Sequence, residues 1–250
     1  GLVVAGPAFA AGESALLQAY LEQRLGEAVL GGGSLDEAQR HFTRARAGYV
    51  REEAHRDAAV CDVWLGRCRR SNGDTEGAIE AFQRAAAVFD AVGDRGWLAV
   101  AQRSQSRAHY AVRDYAAALG LSAALLADAL TDPVRHLDGQ AQEDLIRALA
   151  AAVQARDAAA ATGLWEQVAP RADAAARTEP EQFRIRAVQH WVDWHFGNRL
   201  AAIEGAMVLL DLQSAAEPDL PQAWVLEIVG NAVAEQPDGP GYLARALALY

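Results

Sequence analysis

The chain has 250 residues, 52% of them hydrophobic, with a formal net charge of −10 and an isoelectric point near 5.1. A surface this acidic argues against nucleic-acid or anionic-membrane partners. Mean hydropathy of −0.05 and the lack of any apolar run of about 18 residues exclude a transmembrane helix. All 23 residues in the Lys+Arg count are arginine, which with the abundant alanine points to a high-GC, bacterial genome. The opening GLVVAGPAFAAGES is apolar but lacks the basic start of a signal peptide, so a cytoplasmic location is expected. With no initiator Met and an end inside a helical pattern, the chain reads as a stretch of a longer polypeptide.

Taken in order, the sequence predicts helical hairpins over about 14–50, 54–92, 96–131, 140–170, 181–214 and 222–250, a single continuous array over 1–250. The first has Leu25-Gly26 in its leading helix, a turn at Gly31–Gly33, then Ala38, Phe42 and Ala45. Forty residues on, the second has Leu65-Gly66, a turn at Gly73-Asp74, then Ala78, Phe82, Ala85 and Phe89. The 4-3-4 spacing of those last four puts them on one face of a 3.6-residue helix. Asp74 is placed to cap that helix, Gly73 to take a positive φ, and Gly93 to close the far end. Gly66 and Ala78 are expected to let two helix backbones approach, with Phe82 filling the space between neighbouring hairpins.

The third copy keeps the spacing with other residues: Gln105-Ser106, Arg113-Asp114, Ala118, Ser122 and Leu125. Small residues recur at Ala28, Cys68 and Ala108. Cys61 and Cys68 lie seven apart on one helix, about 10 Å of rise and too far for a disulfide, so two buried, reduced thiols are expected. The fourth hairpin turns at Arg156-Asp157, with Ala161, Trp165 and Val168 inward. The fifth turns at Gly197-Asn198, with Ala202, Ala206 and Leu209 inward, and the sixth turns through QPDGPG at 236–241. Prolines 170, 180, 218, 221, 237 and 240 are expected at joints.

These small and large residues resemble the tetratricopeptide (TPR) superfamily across nearly the whole chain. The resemblance implies an all-α, right-handed superhelical solenoid of about five to six hairpins, here with a period near 40 rather than the usual ~34 residues. An armadillo- or HEAT-like solenoid, with repeats of about 40–47 residues, is the alternative that this spacing leaves open. Long-period, alanine- and arginine-rich TPR arrays often precede an effector, and YLARALALY resembles the last repeat helix before a caspase-like (CHAT) peptidase domain. A downstream effector in the same polypeptide is therefore an expected partner, and any catalytic residues would lie there. A stand-alone adaptor, or the sensor of a signalling enzyme or transcription regulator, fits the same resemblance.

Catalytic motifs are missing from the sequence. Gly31–Gly33 is followed by no GK[ST], and GxSxG, HExxH, CxxC and EF-hand patterns are absent. No cofactor or metal site is read, and His190 and His195 are expected at the surface or in a cleft. An enzyme working within these residues would need a pocket against the tryptophan-rich fifth hairpin.

In a TPR superhelix the first helix of each hairpin lines the inner groove. The positions so placed are Gln23, Glu27, Val63, Arg67, Arg70, Arg103, Arg107, Tyr110, Trp191 and Trp194. Arginine forks bind carboxylates through two parallel hydrogen bonds, so this strip suits an acidic or C-terminal peptide segment. Solvated arginines paired with Glu and Asp of the same chain, and tryptophans in the core, are the alternatives.

Overall fold

The computed structural model describes residues 11–131, 139–172, 179–212, 220–234 and 239–249. Among them are twelve α-helices and no strand. The chain divides into two compact units, one ending at Asp114 and the other beginning at Tyr115, a boundary inside the third expected hairpin.

The first unit holds α1 (Ala11–Gly31), α2 (Leu35–Arg51), α3 (His55–Ser71), α4 (Thr75–Ala91) and α5 (Arg95–Ala111). The four turns between them and the one that follows α5 share one construction. Gly33, Glu53, Gly73, Gly93 and Arg113 take positive φ, so the backbone repeats every 20 residues, half the period visible in the side chains. Gly73 donates its N–H to Arg70 O at 3.1 Å and Asp74 to Arg69 O at 2.9 Å. The other four turns make the same pair of bonds. This is the Schellman closure, which satisfies helix-end carbonyls that would otherwise be orphaned. The residue that completes it also starts the next helix: Asp74 Oδ1 accepts from Gly77 N at 3.0 Å, and Asp94 Oδ1 from Trp97 N at 3.1 Å. Ser34 and Ala54 stand in that place without a side-chain cap bond.

Packing follows the expected stripes. Ala78, Phe82, Ala85 and Phe89 are buried together with Ala59, Val60 and Val63 of α3 and Leu98 and Ala101 of α5. The role of Gly66 differs from expectation. A Cβ there would stand 2.5 Å from the Phe82 ring, and one at Gly26 would stand 2.8 Å from the Phe42 ring. Each glycine is thus the seat of an aromatic ring within its own hairpin, rather than a point of backbone contact. Both thiols are buried and free, and burial pushes Cys61 up to about 12, so the neutral thiol serves as a small core group.

The second unit holds α6 (Tyr115–Ala129), α7 (Gly139–Gln154), α8 (Ala158–Ala172), α9 (Glu179–Phe196), α10 (Arg199–Leu212), α11 (Leu220–Ala232) and α12 (Gly239–Leu249). Arg156 repeats the positive φ, and Asp157 Oδ1 caps α8 from Ala160 N at 2.9 Å. Asn198 Oδ1 accepts from Ala201 N at 3.2 Å at the start of α10. Ala161, Val168, Ala202, Ala206 and Leu209 are buried as expected. Pro170 is not at a joint: α8 continues through it to Ala172, losing one backbone bond in its last turn. Pro180, Pro221 and Pro240 each stand second in their helices, where the N–H has no helical acceptor to lose. Residues 236–238 of the 236–241 turn, with Pro237, lie outside the described residues, as does Pro218, and Gly239–Gly241 begin α12.

Two outcomes test this packing. Phe82→Ala is expected to cost about 3–5 kcal/mol and Gly66→Ala about 1–3 kcal/mol in urea unfolding, the first by a cavity and the second by a clash on the same ring. Glu53→Gly relieves a left-handed residue at the cost of unfolded-state entropy and is expected to stabilise by about 0.5–1 kcal/mol. A lowered midpoint for Glu53→Gly would contradict the turn assignment.

Candidate functional site

The arginine strip starts from an aromatic layer. Phe42 of α2 and Trp64 of α3 stack with ring centroids 5.7 Å apart and planes 6° from parallel. One turn on, the Arg67 guanidinium lies over the Trp64 ring, 4.6 Å from its centroid. That stacking fixes the arginine at little entropic expense and leaves its edges to a ligand. Arg70 follows on the same face of α3, and Arg107 reaches it from α5, which packs directly on α3.

Among the described residues, Arg67, Arg70 and Arg107 have no carboxylate within ion-pair distance. The charges that act on Arg67 are those of Arg107 and Arg70, and burial followed by these two repulsions holds it below the usual arginine range. Arg70 is lowered likewise, by burial and then by Arg107. An incoming carboxylate would relieve both effects.

Several other arginines of the same unit are paired with carboxylates. Asp62, buried in the middle of α3, receives Arg46 Nε at 3.0 Å from α2 and Arg84 Nη2 at 3.3 Å from α4. Arg56 binds Asp94 at 2.8 Å. His41 Nδ1 contacts Glu22 at 2.7 Å beside a pocket of about 240 Å³ whose lining includes Arg44 and Arg51. Arg67, Arg70 and Arg107 are set apart by lying close enough to repel one another with no carboxylate of the described residues at ion-pair distance.

The other expected groove residues are distributed differently. Arg103 and Tyr110 lie on α5, Tyr110 exposed and Arg103 half-buried and already in contact with its own chain. Gln23 accepts from the Tyr49 hydroxyl at 3.1 Å and donates to Glu27 at 3.0 Å, so both are committed within the first hairpin. Val63 is buried, because α3 packs against α2, α4 and α5 and has little free surface.

Trp191 is likewise a core residue, 3% exposed and stacked on Trp224 at 4.1 Å. It offers no surface to a peptide. Trp194 is half-buried against the same core, with Arg199 over its ring at 5.1 Å and bonded to its carbonyl at 3.2 Å. These tryptophans belong to the second unit, whose interior they build.

His190 and His195 flank Trp191 and are drawn into that interior rather than held at the surface. His195 meets Trp191 edge-on at 4.8 Å, and His190 presses on Gly205 of α10, where a side chain would collide with the ring. His190 Nδ1 and His195 Nε2 are buried without a hydrogen-bond partner among the described residues. Burial is the largest influence on both and holds them below the usual histidine range. Asp193 and Arg186 oppose one another at His190, as do Glu227 and Arg199 at His195. No group of three or more His, Cys, Asp or Glu among the described residues could hold a metal ion, and no described helix is long and apolar enough to cross a membrane.

Because the folded histidines resist protonation, the unfolded chain takes up protons at higher pH. Stability is therefore expected to be full above the ordinary histidine value, about 6.5, and to fall as pH drops below it. Urea unfolding followed by tryptophan fluorescence should show a lower midpoint in mildly acidic than in mildly alkaline buffer. His195→Phe should reduce that difference, and an undiminished difference would remove His195 as its source.

No protein-family model matches the chain, and no curated protein matches it. Solved structures do. A Podosopora anserina putative kinesin light chain with nearly identical TPR-like repeats superposes with a TM-score of 0.66 at 16% identity, covering 82% of this chain and 98% of that one. A tetratricopeptide repeat protein from Parabacteroides merdae superposes with a TM-score of 0.64 at 14% identity, covering 93% of this chain and 77% of that one. At these identities the likeness is one of fold. The chain has the all-α repeat-solenoid fold that these TPR structures share.

Proposed function

We propose that this chain is a non-catalytic protein-interaction scaffold, and that the face carrying Arg67, Arg70 and Arg107 binds an acidic or C-terminal peptide segment. The observation that supports it is a set of three neighbouring arginines, Arg67 and Arg70 half-buried and Arg107 exposed, that repel one another and have no carboxylate at ion-pair distance among the described residues, in a chain of net charge −10. Leaving cations together and unneutralised costs stability, and the cost is recovered when an anion arrives. A carboxylate suits the Arg67 fork, which Trp64 already orients.

The TPR-like neighbours add that folds of this type offer extended surfaces built from stacked repeats, which suits a peptide better than a small molecule. The 40-residue spacing runs past Asp114 to Ala118, Ser122 and Leu125, and hairpins shifted by about three residues follow, which supports taking the six hairpins as one array. The buried thiols count against cysteine chemistry in these residues, because the thiolate is the nucleophile and burial suppresses it.

The test is fluorescence anisotropy with labelled peptides ending in Asp/Glu runs, free or amidated at the C-terminus, against the full chain and Arg70→Glu/Arg107→Glu. The variant is expected to bind about tenfold or more weakly, ~1.4 kcal/mol or more, with unchanged helicity. Binding to the wild type is expected to weaken with salt. Equal affinity of the two proteins would refute the site.

A further inference from the structure

We propose that the anion taken by the arginine face is a phosphorylated serine or threonine side chain of a partner protein, held jointly by Arg67, Arg70 and Arg107. This rests on the peptide-site reading above and narrows it to one class of ligand. Arg67 and Arg70 stand three residues apart on α3 and so share a face. Forty residues on, α5 occupies the span that α3 occupies and packs on it, so Arg107 holds on α5 the height that Arg67 holds on α3. Arg67 is fixed 4.6 Å above the Trp64 ring. The nearness of the three shows in their charges: Arg107 acts on both Arg67 and Arg70, and Arg70 acts on Arg67.

The chain itself shows how many arginines one carboxylate serves. Asp62 takes Arg46 on Oδ2 at 3.0 Å and Arg84 on Oδ1 at 3.3 Å, one cation to each oxygen. Glu143 divides its two oxygens in the same way, between Arg147 at 3.3 Å and Arg184. With both oxygens taken, a third arginine exceeds that capacity, and one negative charge leaves most of the positive field unmet.

A phosphomonoester has three oxygens on a tetrahedral centre and a charge of about −1.5 to −2 at neutral pH. Forks that come from one turn, the next turn and a neighbouring helix reach such a group from separate directions, each with an oxygen to itself. Clustered arginines are the general device by which folds read phosphorylated motifs. The net charge of −10 opposes the phosphate runs of nucleic acid and the field of an anionic membrane, which favours a single phosphate on a peptide.

The probes are matched labelled peptides of alanine and glycine that carry, at one central place, phosphoserine, serine, glutamate or a glutamate pair. In fluorescence anisotropy with the full chain, the phosphoserine peptide is expected to bind at least about tenfold more tightly than either glutamate peptide. Arg107→Gln should cut that preference to about threefold or less. Arg107 is exposed, so this variant is expected to keep its helicity and urea midpoint. Lowering the pH from about 7.5 to about 5.5 takes the phosphate through its second ionisation, near 6, and should weaken the phosphoserine peptide alone. Equal affinity of the phosphoserine and glutamate peptides, lost together in Arg70→Glu/Arg107→Glu, would overturn the phosphate and leave the acidic-peptide reading standing. Failure of every charged peptide to bind would remove both. A phosphoserine preference that Arg107→Gln leaves intact would overturn the assignment to these arginines. Displacement by inorganic phosphate as readily as by unlabelled phosphoserine peptide would overturn the peptide partner and reduce the face to a free-anion site.

Discussion

The structure of the first unit depends on one residue serving two helices at once. Asp74 closes α3 by donating its N–H to Arg69 O, and opens α4 by accepting from Gly77 N. Asp94 does the same between α4 and α5. With no residue left over between helices, the chain cannot slip by a position without moving a stripe off its face. The positive φ just before, at Gly33, Glu53, Gly73, Gly93 and Arg113, makes the reversal possible in so short a span. Equal steps then place Ala38, Ala58, Ala78 and Leu98 at the same height on successive helices, all of them buried. The seats for Phe42 and Phe82 on Gly26 and Gly66 follow from that register.

This geometry accounts for what was legible in the sequence. Helix bounds were readable because Gly33, Gly73 and Gly93 announce the reversal and Asp74, Asp94 and Asp157 announce the new start. The 20-residue step was not readable, because the turn at Glu53 has no turn signature and the one at Arg113 is marked only by the following Asp114. Their left-handed conformation is imposed by the helices on either side rather than by their own preference. The side chains hide the step further. Position 62 on α3 is the equivalent, one step on, of Phe42 on α2, and it holds a buried aspartate instead of a ring. Alternation of that kind makes the pattern look twice as long as the backbone repeat.

The candidate site was legible in part, for a related reason. Arg67, Arg70 and Arg107 follow from periodicity, since charge on a helix otherwise packed on its neighbours must occupy the remaining face. Val63 and Trp191 fail the same logic, because an inner helix has more than one buried side. On α3 the whole run from Ala58 to Val63 is buried, since α2, α4 and α5 all pack against it. A helix enclosed on three sides leaves a narrow free strip, and a one-sided wheel assigns too many residues to it. Only three-dimensional pairing distinguishes Arg46 and Arg84, drawn to Asp62, from the arginines that have no such partner.

The disposition of charge in the first unit is the last link from packing to function. Asp62 sits where α2, α3 and α4 meet and engages one arginine from each outer helix, so the carboxylate within reach is consumed on that side. A buried carboxylate without those partners would be costly, which ties the pairing to the fold itself. Another strip of α3 carries Arg67 and Arg70 with no carboxylate of the described residues at ion-pair distance, and α5 adds Arg107 to the same field. Surface arginines normally relax by turning to solvent, but Arg67 is held over Trp64, which is itself held on Phe42. The ring that seats on Gly26 to lock the first hairpin is therefore also the base of the stack that presents a guanidinium at the surface. The hairpin lock and the presented guanidinium share that aromatic column, so under the proposed reading a partner of opposite charge would meet a group already in position and would spend little entropy ordering it.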